Sequence, residues 1–73
     1  MTLRQATKTV EAYAVLARTD RRIFVCWDES DDLCECQSEP GGFELALYGP
    51  NLSKRELLAN DWTVIGSVST LGG

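Results

Sequence analysis

The N-terminal segment carries apolar residues three or four positions apart, as on one face of a helix. This spacing predicts a helix over residues 3–18. Thr2 and Gln5 fit a capping box, in which each side chain bonds the other residue's backbone N–H. Thr7 or Thr9 would equally cap a shorter helix, so the start of the helix stays open among these positions.

Three short segments follow that are rich in β-branched and aromatic residues or alternate apolar and polar positions, which is typical of strands. The connections between them are polar, and each is about four or five residues long. Such connections are too short to cross over between parallel strands, so the pattern predicts an antiparallel meander. The predicted strands are Ile23–Trp27, Leu33–Gln37 and Phe43–Tyr48.

The sequence of the C-terminal third of the chain predicts a short helix followed by a last strand. Ser53 is followed three positions later by Glu56, just before two leucines, and this capping box marks a helix start. Thr63–Ser69 is rich in β-favouring residues and predicts a fourth strand. The sequence therefore predicts an α+β fold, a small antiparallel sheet of about four strands with two helices in the order αβββαβ.

The length of 73 residues allows one domain with a thin core. We expect a single domain over residues 1–73, with residues 1–6 and 70–73 as candidates for disorder. The sequence shows neither an apolar run of about 18 residues nor a signal-peptide pattern, so we expect a cytoplasmic protein without membrane contact. Three cysteines cannot all pair within one chain, which favours free thiols in a reducing compartment.

The chain contains no histidine, which removes the commonest general base and the usual zinc partner. Five carboxylates lie between residues 28 and 35, at a predicted exposed turn. Neither burial nor a neighbouring cation would tune their pKa values there, so acid–base catalysis is the weaker alternative to a solvated turn that protects a sheet edge. We therefore expect no enzymatic activity, no catalytic residue and no cofactor.

The cysteines raise the question of a metal site. Cys34 and Cys36 share one face of the predicted second strand, and Cys26 lies on the strand beside it. Zinc prefers four ligands, so Asp28 or Asp32 would have to complete the set, and the spacing of the cysteines matches no zinc signature. Small buried thiols are the simpler interpretation, and we expect no metal. A structural zinc module stays open as a further hypothesis, beside the binding functions considered below.

Charge is unevenly distributed along the chain. Seven basic residues stand against eleven acidic ones, a net charge of −4 that argues against direct nucleic acid or membrane binding. Residues 1–22 carry a balance of +3, whereas residues 23–53 contain seven acidic residues and no basic one. This uneven distribution of charge can steer association with a basic partner, or it can serve solubility alone. The residues predicted to contact a partner are Arg4, Lys8, Asp28, Glu29, Asp31, Asp32 and Glu35.

The segment Ser53–Val64 resembles the closing motif of many small phage proteins, including those of the Thoeris anti-defence family. In that motif a capped helical turn leads through Ala-x-Asp-Trp into a last strand, as Ala59, Asp61 and Trp62 do here. The resemblance covers twelve of the 73 residues. It implies phage origin and, as an alternative function, sequestration of a signalling nucleotide.

The size and acidic character of the chain are also similar to those of phage regulators that bind bacterial RNA polymerase. From this similarity we expect a phage-encoded host-takeover protein that acts in the host cytoplasm, without enzymatic activity and as a monomer. It would dock on a host protein, first of all RNA polymerase, and inhibit or redirect transcription.

Overall fold

The computed structural model describes residues 1–46 and 48–70. The elements in chain order are α1 (Leu3–Thr9), β1 (Ala14–Ala17), β2 (Phe24–Trp27), β3 (Leu33–Glu39), β4 (Gly42–Leu45), α2 (Lys54–Leu58) and β5 (Thr63–Thr70). In the two described ranges the five strands close into a barrel in the order β1-β2-β3-β4-β5. Neighbouring strands are antiparallel except β4 and β5, which are parallel.

The prediction of one helix over residues 3–18 is wrong beyond α1. The Thr2–Gln5 capping box is formed, but the helix ends at Thr9, and a turn leads into β1 through Tyr13 at a φ of 66°. Strand β1 lies between β2 and β5, and its last three residues are fully buried. A strand buried on both faces has no alternating pattern, so its apolar run cannot be told from a buried helical segment.

The rest of the predicted element order is confirmed. The meander β2–β3–β4 is antiparallel, α2 begins with the predicted Ser53–Glu56 capping box, and the last strand returns as β5. The fold is a small α+β domain with two helices in the described ranges, but it has five strands in the order αββββαβ instead of about four in αβββαβ. The predicted antiparallel sheet is also corrected, because β4 and β5 pair in parallel and the sheet closes into a barrel. Leu47, within the predicted third strand, and residues 71–73, among the candidates for disorder, lie outside the described residues.

The interior of the barrel forms one hydrophobic cluster, here called the barrel core. Val15, Cys26 and Cys36 are buried at its centre. The rings of Phe24 and Phe43 pack at a centroid distance of 5.3 Å, a separation typical of favourable aromatic pairs. Side chains of all five strands contribute, so side chains fill the interior of the barrel.

A second cluster, the outer core, lies where α1 and the segment before β5 cover the outside of β1 and β2. Its buried members include Leu16, Val25 and Trp62. The indole Nε1 of Trp62 donates to the backbone oxygen of Glu56 at 2.9 Å, and its backbone N–H donates to the carbonyl of Met1 at 3.0 Å. These bonds tie the N-terminal segment, α2 and the start of β5 together. No helix in residues 1–46 and 48–70 is long and apolar enough to span a membrane.

Candidate functional site

The turn between β2 and β3 is built around the side chain of Asp28. Its Oδ1 accepts hydrogen bonds from the backbone N–H groups of Ser30 at 2.8 Å and Asp32 at 3.0 Å. The backbone N–H of Asp28 also donates to the carbonyl of Asp32 at 3.0 Å, and Asp31 adopts a left-handed φ of 62°. Asp28 therefore shapes the turn, as an Asx residue commonly does, and its carboxylate is occupied inside the fold.

The other predicted carboxylates divide into two groups. Glu29, Asp31 and Asp32 are exposed, and their side chains form no hydrogen bond or ion pair with any other residue that the structure describes. Glu35 is half-buried and accepts a hydrogen bond from the hydroxyl of Tyr48 at 2.9 Å. Three carboxylates at the tip of the turn are thus available to a partner, and two have structural roles.

The predicted basic contacts lie on a different element. Arg4 and Lys8 are exposed on α1 and, being four residues apart, share one face of it. Neither lines the groove beside the acidic turn. The sequence predicted all of these residues as partner contacts, and the structure places the cations on α1 and the carboxylates on or beside the β2–β3 turn.

A groove of about 310 Å³ runs beside the acidic turn and is here called the acidic groove. Carboxylates of the turn stand at its rim, and leucine and tyrosine side chains form part of its wall. Tyr48 is 55% exposed. Such a groove suits the side chain of a lysine or arginine, whose aliphatic stem packs on apolar surface while its charged end meets a carboxylate. The lining residues are Asp28, Asp32, Leu33, Cys34, Leu45, Ala46, Tyr48 and Gly49.

The three cysteines are free thiols. Cys26 faces Cys34 across β2 and β3, and both Cys26 and Cys36 are buried in the barrel core. The hydrogen bond with Cys26, together with burial, raises the pKa of Cys36 far above its usual value. Burial, and then the carboxylate of Asp28, raise the pKa of Cys34. Among the described residues, no group of three potential ligands is placed to hold a metal ion.

A second and larger cavity, of about 640 Å³, opens between the β1–β2 connection and the start of α2. We call it the arginine cleft, because three arginines from these two segments line it. The sequence analysis missed it, although five of the seven basic residues lie in residues 18–22 and 54–55. The chain fold brings the two segments together, and a charge count along the sequence treats them separately. The lining residues are Arg18, Asp20, Arg22, Ile23, Ser53, Arg55 and Glu56.

Asp61 fixes one side of this cleft. Its carboxylate accepts from the Nε of Arg18 at 2.8 Å and from the hydroxyl of Thr19 at 2.5 Å. The hydrogen bond from Thr19, followed by that from Arg18, holds the pKa of Asp61 well below its usual range. Asp61 therefore stays ionised, and the guanidinium of Arg18 is held in a fixed position.

The carboxylates that line the cleft are engaged with the backbone. Asp20 accepts from the N–H of Arg22 at 3.2 Å, and Glu56 accepts from the N–H of Ser53 at 3.0 Å. The hydrogen bonds with Ser53, and then the guanidinium groups of Arg18 and Arg22, lower the pKa of Glu56.

Comparison with protein families, with curated proteins and with solved structures finds no match to this chain.

Proposed function

We propose that the protein is a non-enzymatic, phage-encoded binding protein that docks on a host macromolecular machine through its acidic turn and groove. The RNA polymerase of the bacterial host is our first candidate, and docking would inhibit or redirect transcription. The observation that carries the proposal is a turn with three unpaired, exposed carboxylates, one of which, Asp32, lines a groove with partly apolar walls. The choice of RNA polymerase rests on the overall similarity in size and charge to phage transcription regulators.

The unpaired carboxylates supply long-range attraction. Glu29, Asp31 and Asp32 lie close together on one turn, and no basic residue occurs between residues 23 and 53 to neutralise them. A concentrated negative potential raises the rate of encounter with a basic surface at low ionic strength. The protection of an open sheet edge does not account for this charge, because the described strands close into a barrel.

The groove supplies short-range selectivity. A lysine or arginine of the partner can lay its stem against Leu33, Leu45 and Tyr48 and bring its cation to the rim at Asp32. A fully exposed ion pair contributes little to affinity, whereas a cation partly removed from water in such a groove contributes more. The proposed partner surface is therefore basic and presents at least one long cationic side chain.

The exposed face of α1 offers a second contact. Arg4 and Lys8 form a small positive surface there, and they would meet an acidic region of the same partner. Two contacts of opposite sign fix the orientation of a docked protein better than one, since the reversed orientation brings like charges together.

Affinity capture from a bacterial lysate, followed by mass spectrometry, tests the proposal. The tag belongs at the C-terminus, because the N-terminal amine donates to the carbonyls of Asn60 at 2.7 Å and Trp62 at 3.0 Å. The wild-type protein is expected to retain RNA polymerase subunits in stoichiometric amount. The variant Glu29→Gln, Asp31→Asn, Asp32→Asn should lose them, and it should keep the turn because Asp28 is intact and asparagine tolerates the left-handed conformation of residue 31.

A matched control removes the same number of charges elsewhere. Glu11, Glu39 and Glu44 are exposed acidic residues outside the acidic turn, so their replacement by glutamine leaves the proposed site unchanged. This control should retain the partner. Recovery of no stoichiometric partner, or equal recovery with both triple variants, would contradict docking through the turn.

A further inference from the structure

The arginine cleft has no part in the docking proposed above. We infer that it is a binding site for a small ligand that carries a phosphate group, held between the guanidinium groups of Arg22 and Arg55. The inference rests on the cavity and on the charges around it, and it is independent of the proposed function. It assigns a second activity, ligand binding, to a surface formed by different residues.

The charge around the cleft is opposite in sign to that of the whole protein. The segments 18–22 and 53–56, together with Asp61, contain five of the seven basic residues and three of the eleven acidic ones. This region has a balance of +2 in a protein of net charge −4, to which Arg21 and Lys54 contribute from outside the lining. The lining itself carries three arginines against Asp20 and Glu56, and Asp61 pairs with Arg18. Positive charge beside a concave surface raises the local concentration of anions.

The acidic residues of the region are already engaged. Asp61 is paired with Arg18, Asp20 accepts from the backbone of Arg22, and Glu56 accepts from the backbone of Ser53. Arg22 and Arg55 are exposed and form no ion pair with a carboxylate in the described part of the chain. These two guanidinium groups therefore keep donors available to an incoming anion, while the charge of Arg22 also acts on the nearby carboxylate of Glu56.

The arrangement of the two arginines favours phosphate. Arg22 follows the turn after β1 and Arg55 belongs to α2, so the guanidinium groups reach the cavity from separate walls. A guanidinium donates in a planar fork, and a terminal phosphate group presents three oxygens in different directions. One phosphate can therefore accept from both arginines, whereas the two oxygens of a carboxylate lie in one plane and suit a single fork.

The size of the cleft fits a small molecule. Its volume of about 640 Å³ lies within the range of roughly 300–1,000 Å³ that ligand sites occupy. Ile23 provides an apolar contact for the remainder of a ligand. The tie between Arg18 and Asp61 keeps one wall rigid before any ligand arrives, which reduces the entropic cost of binding.

Titration of the isotope-labelled protein with inorganic pyrophosphate, followed by two-dimensional amide NMR at constant ionic strength, tests the inference. We expect saturable binding of one pyrophosphate, with shifts concentrated in residues 18–23 and 53–56. The variant Arg22→Gln, Arg55→Gln should bind at least about tenfold more weakly, because each lost charged hydrogen bond accounts for roughly that factor. The double variant should still capture the docking partner, since it leaves the acidic turn intact.

The matched control is Arg4→Gln, Lys8→Gln, which removes two positive charges from the exposed face of α1. It should bind pyrophosphate within about twofold of the wild type, because neither residue lines the cleft. The inference is overturned if binding does not saturate below about 10 mM, a concentration that marks very weak binding. Equal weakening in both double variants would also overturn it, because general charge attraction would then account for the effect.

Discussion

At the β2–β3 turn, neighbouring carboxylates of the same chemistry have different roles. Asp28 bonds two backbone N–H groups and sets the shape of the turn, whereas Asp31 and Asp32 are exposed and unpaired within the described residues. The sequence predicted the cluster as a set, because charge is visible in a sequence, whereas the carboxylate that bonds the backbone of the turn is fixed by the geometry of the turn. Separation of the structural carboxylate from the free ones is what makes a clean test of docking possible.

Asp61 gives a prediction at the same scale. Its folded-state pKa is depressed, by the hydrogen bond from Thr19 first and that from Arg18 second, so its stabilising contribution is present above its unfolded pKa of about 3.9. That contribution is lost as the pH falls toward the folded-state pKa. Asp61→Asn should therefore melt a few degrees below the wild type at neutral pH, and the difference should shrink as the pH is lowered from about 4 to about 2.

Thermal unfolding followed by circular dichroism across this pH range measures the effect. The control is Glu11→Gln, because Glu11 is exposed. The melting temperature of this variant should follow that of the wild type across the whole pH range. If the difference in melting temperature between Asp61→Asn and the wild type does not change with pH, the ionised carboxylate of Asp61 is not the source of that difference.

At the scale of elements, local signals were sufficient wherever the chemistry is local. The Ser53–Glu56 capping box was predicted from residues three positions apart, the Thr2–Gln5 box was one of the open alternatives, and the meander followed from short polar connections. Strand β1 was missed because its identity depends on two partners that are distant in sequence, β2 and β5. The arginine cleft was missed for the same reason, since its two walls are about thirty residues apart and meet only in the fold.

The second capping box yields a stability prediction. Ser53→Ala removes the oxygen that accepts from the N–H of Glu56 at 3.2 Å. The free energy of unfolding should fall by about 1 kcal/mol, the usual cost of losing such a cap. Urea unfolding measures the change. Ser30→Ala is the control, because that exposed serine contributes only its backbone N–H to the turn and should change stability little; equal losses in the two variants would contradict the role of the cap.

The closure of the barrel can be probed with two adjacent glycines. Gly41 and Gly42 both have positive φ values, 93° and 154°, so alanine is strained at either position. A Cβ on Gly41 meets nothing within 4 Å, whereas a Cβ on Gly42 would lie 2.9 Å from the Cβ of Ser69 on β5. Gly42→Ala should therefore cost about 1–3 kcal/mol more than Gly41→Ala, the usual penalty of overpacking.

Chemical denaturation of both alanine variants measures this difference. Ser69→Gly in the Gly42→Ala background restores the space and should recover part of the loss, although it also removes the hydrogen bond from Ser69 to the carbonyl of Phe43. Equal destabilisation by the two glycine replacements would mean that β4 and β5 do not approach as closely as described.

At the scale of the whole molecule, the fold separates charge into distinct surfaces on a small filled barrel. The acidic turn and groove lie on the meander, and the arginine cleft lies between the β1–β2 connection and α2. Each surface is attached to paired strands or to the outer core. Because the two surfaces are formed by different residues, the proposed docking and the proposed ligand binding can be tested separately.

The dissociation constant of the protein with purified bacterial RNA polymerase tests the docking account most directly. At low salt, the variant Glu29→Gln, Asp31→Asn, Asp32→Asn should bind about tenfold or more weakly than the wild type, mainly through slower association. Glu11→Gln, Glu39→Gln, Glu44→Gln should bind within about twofold of the wild type, since distant exposed charges are screened. The absence of measurable binding by the wild-type protein, or equal constants for the two triple variants, would contradict the account.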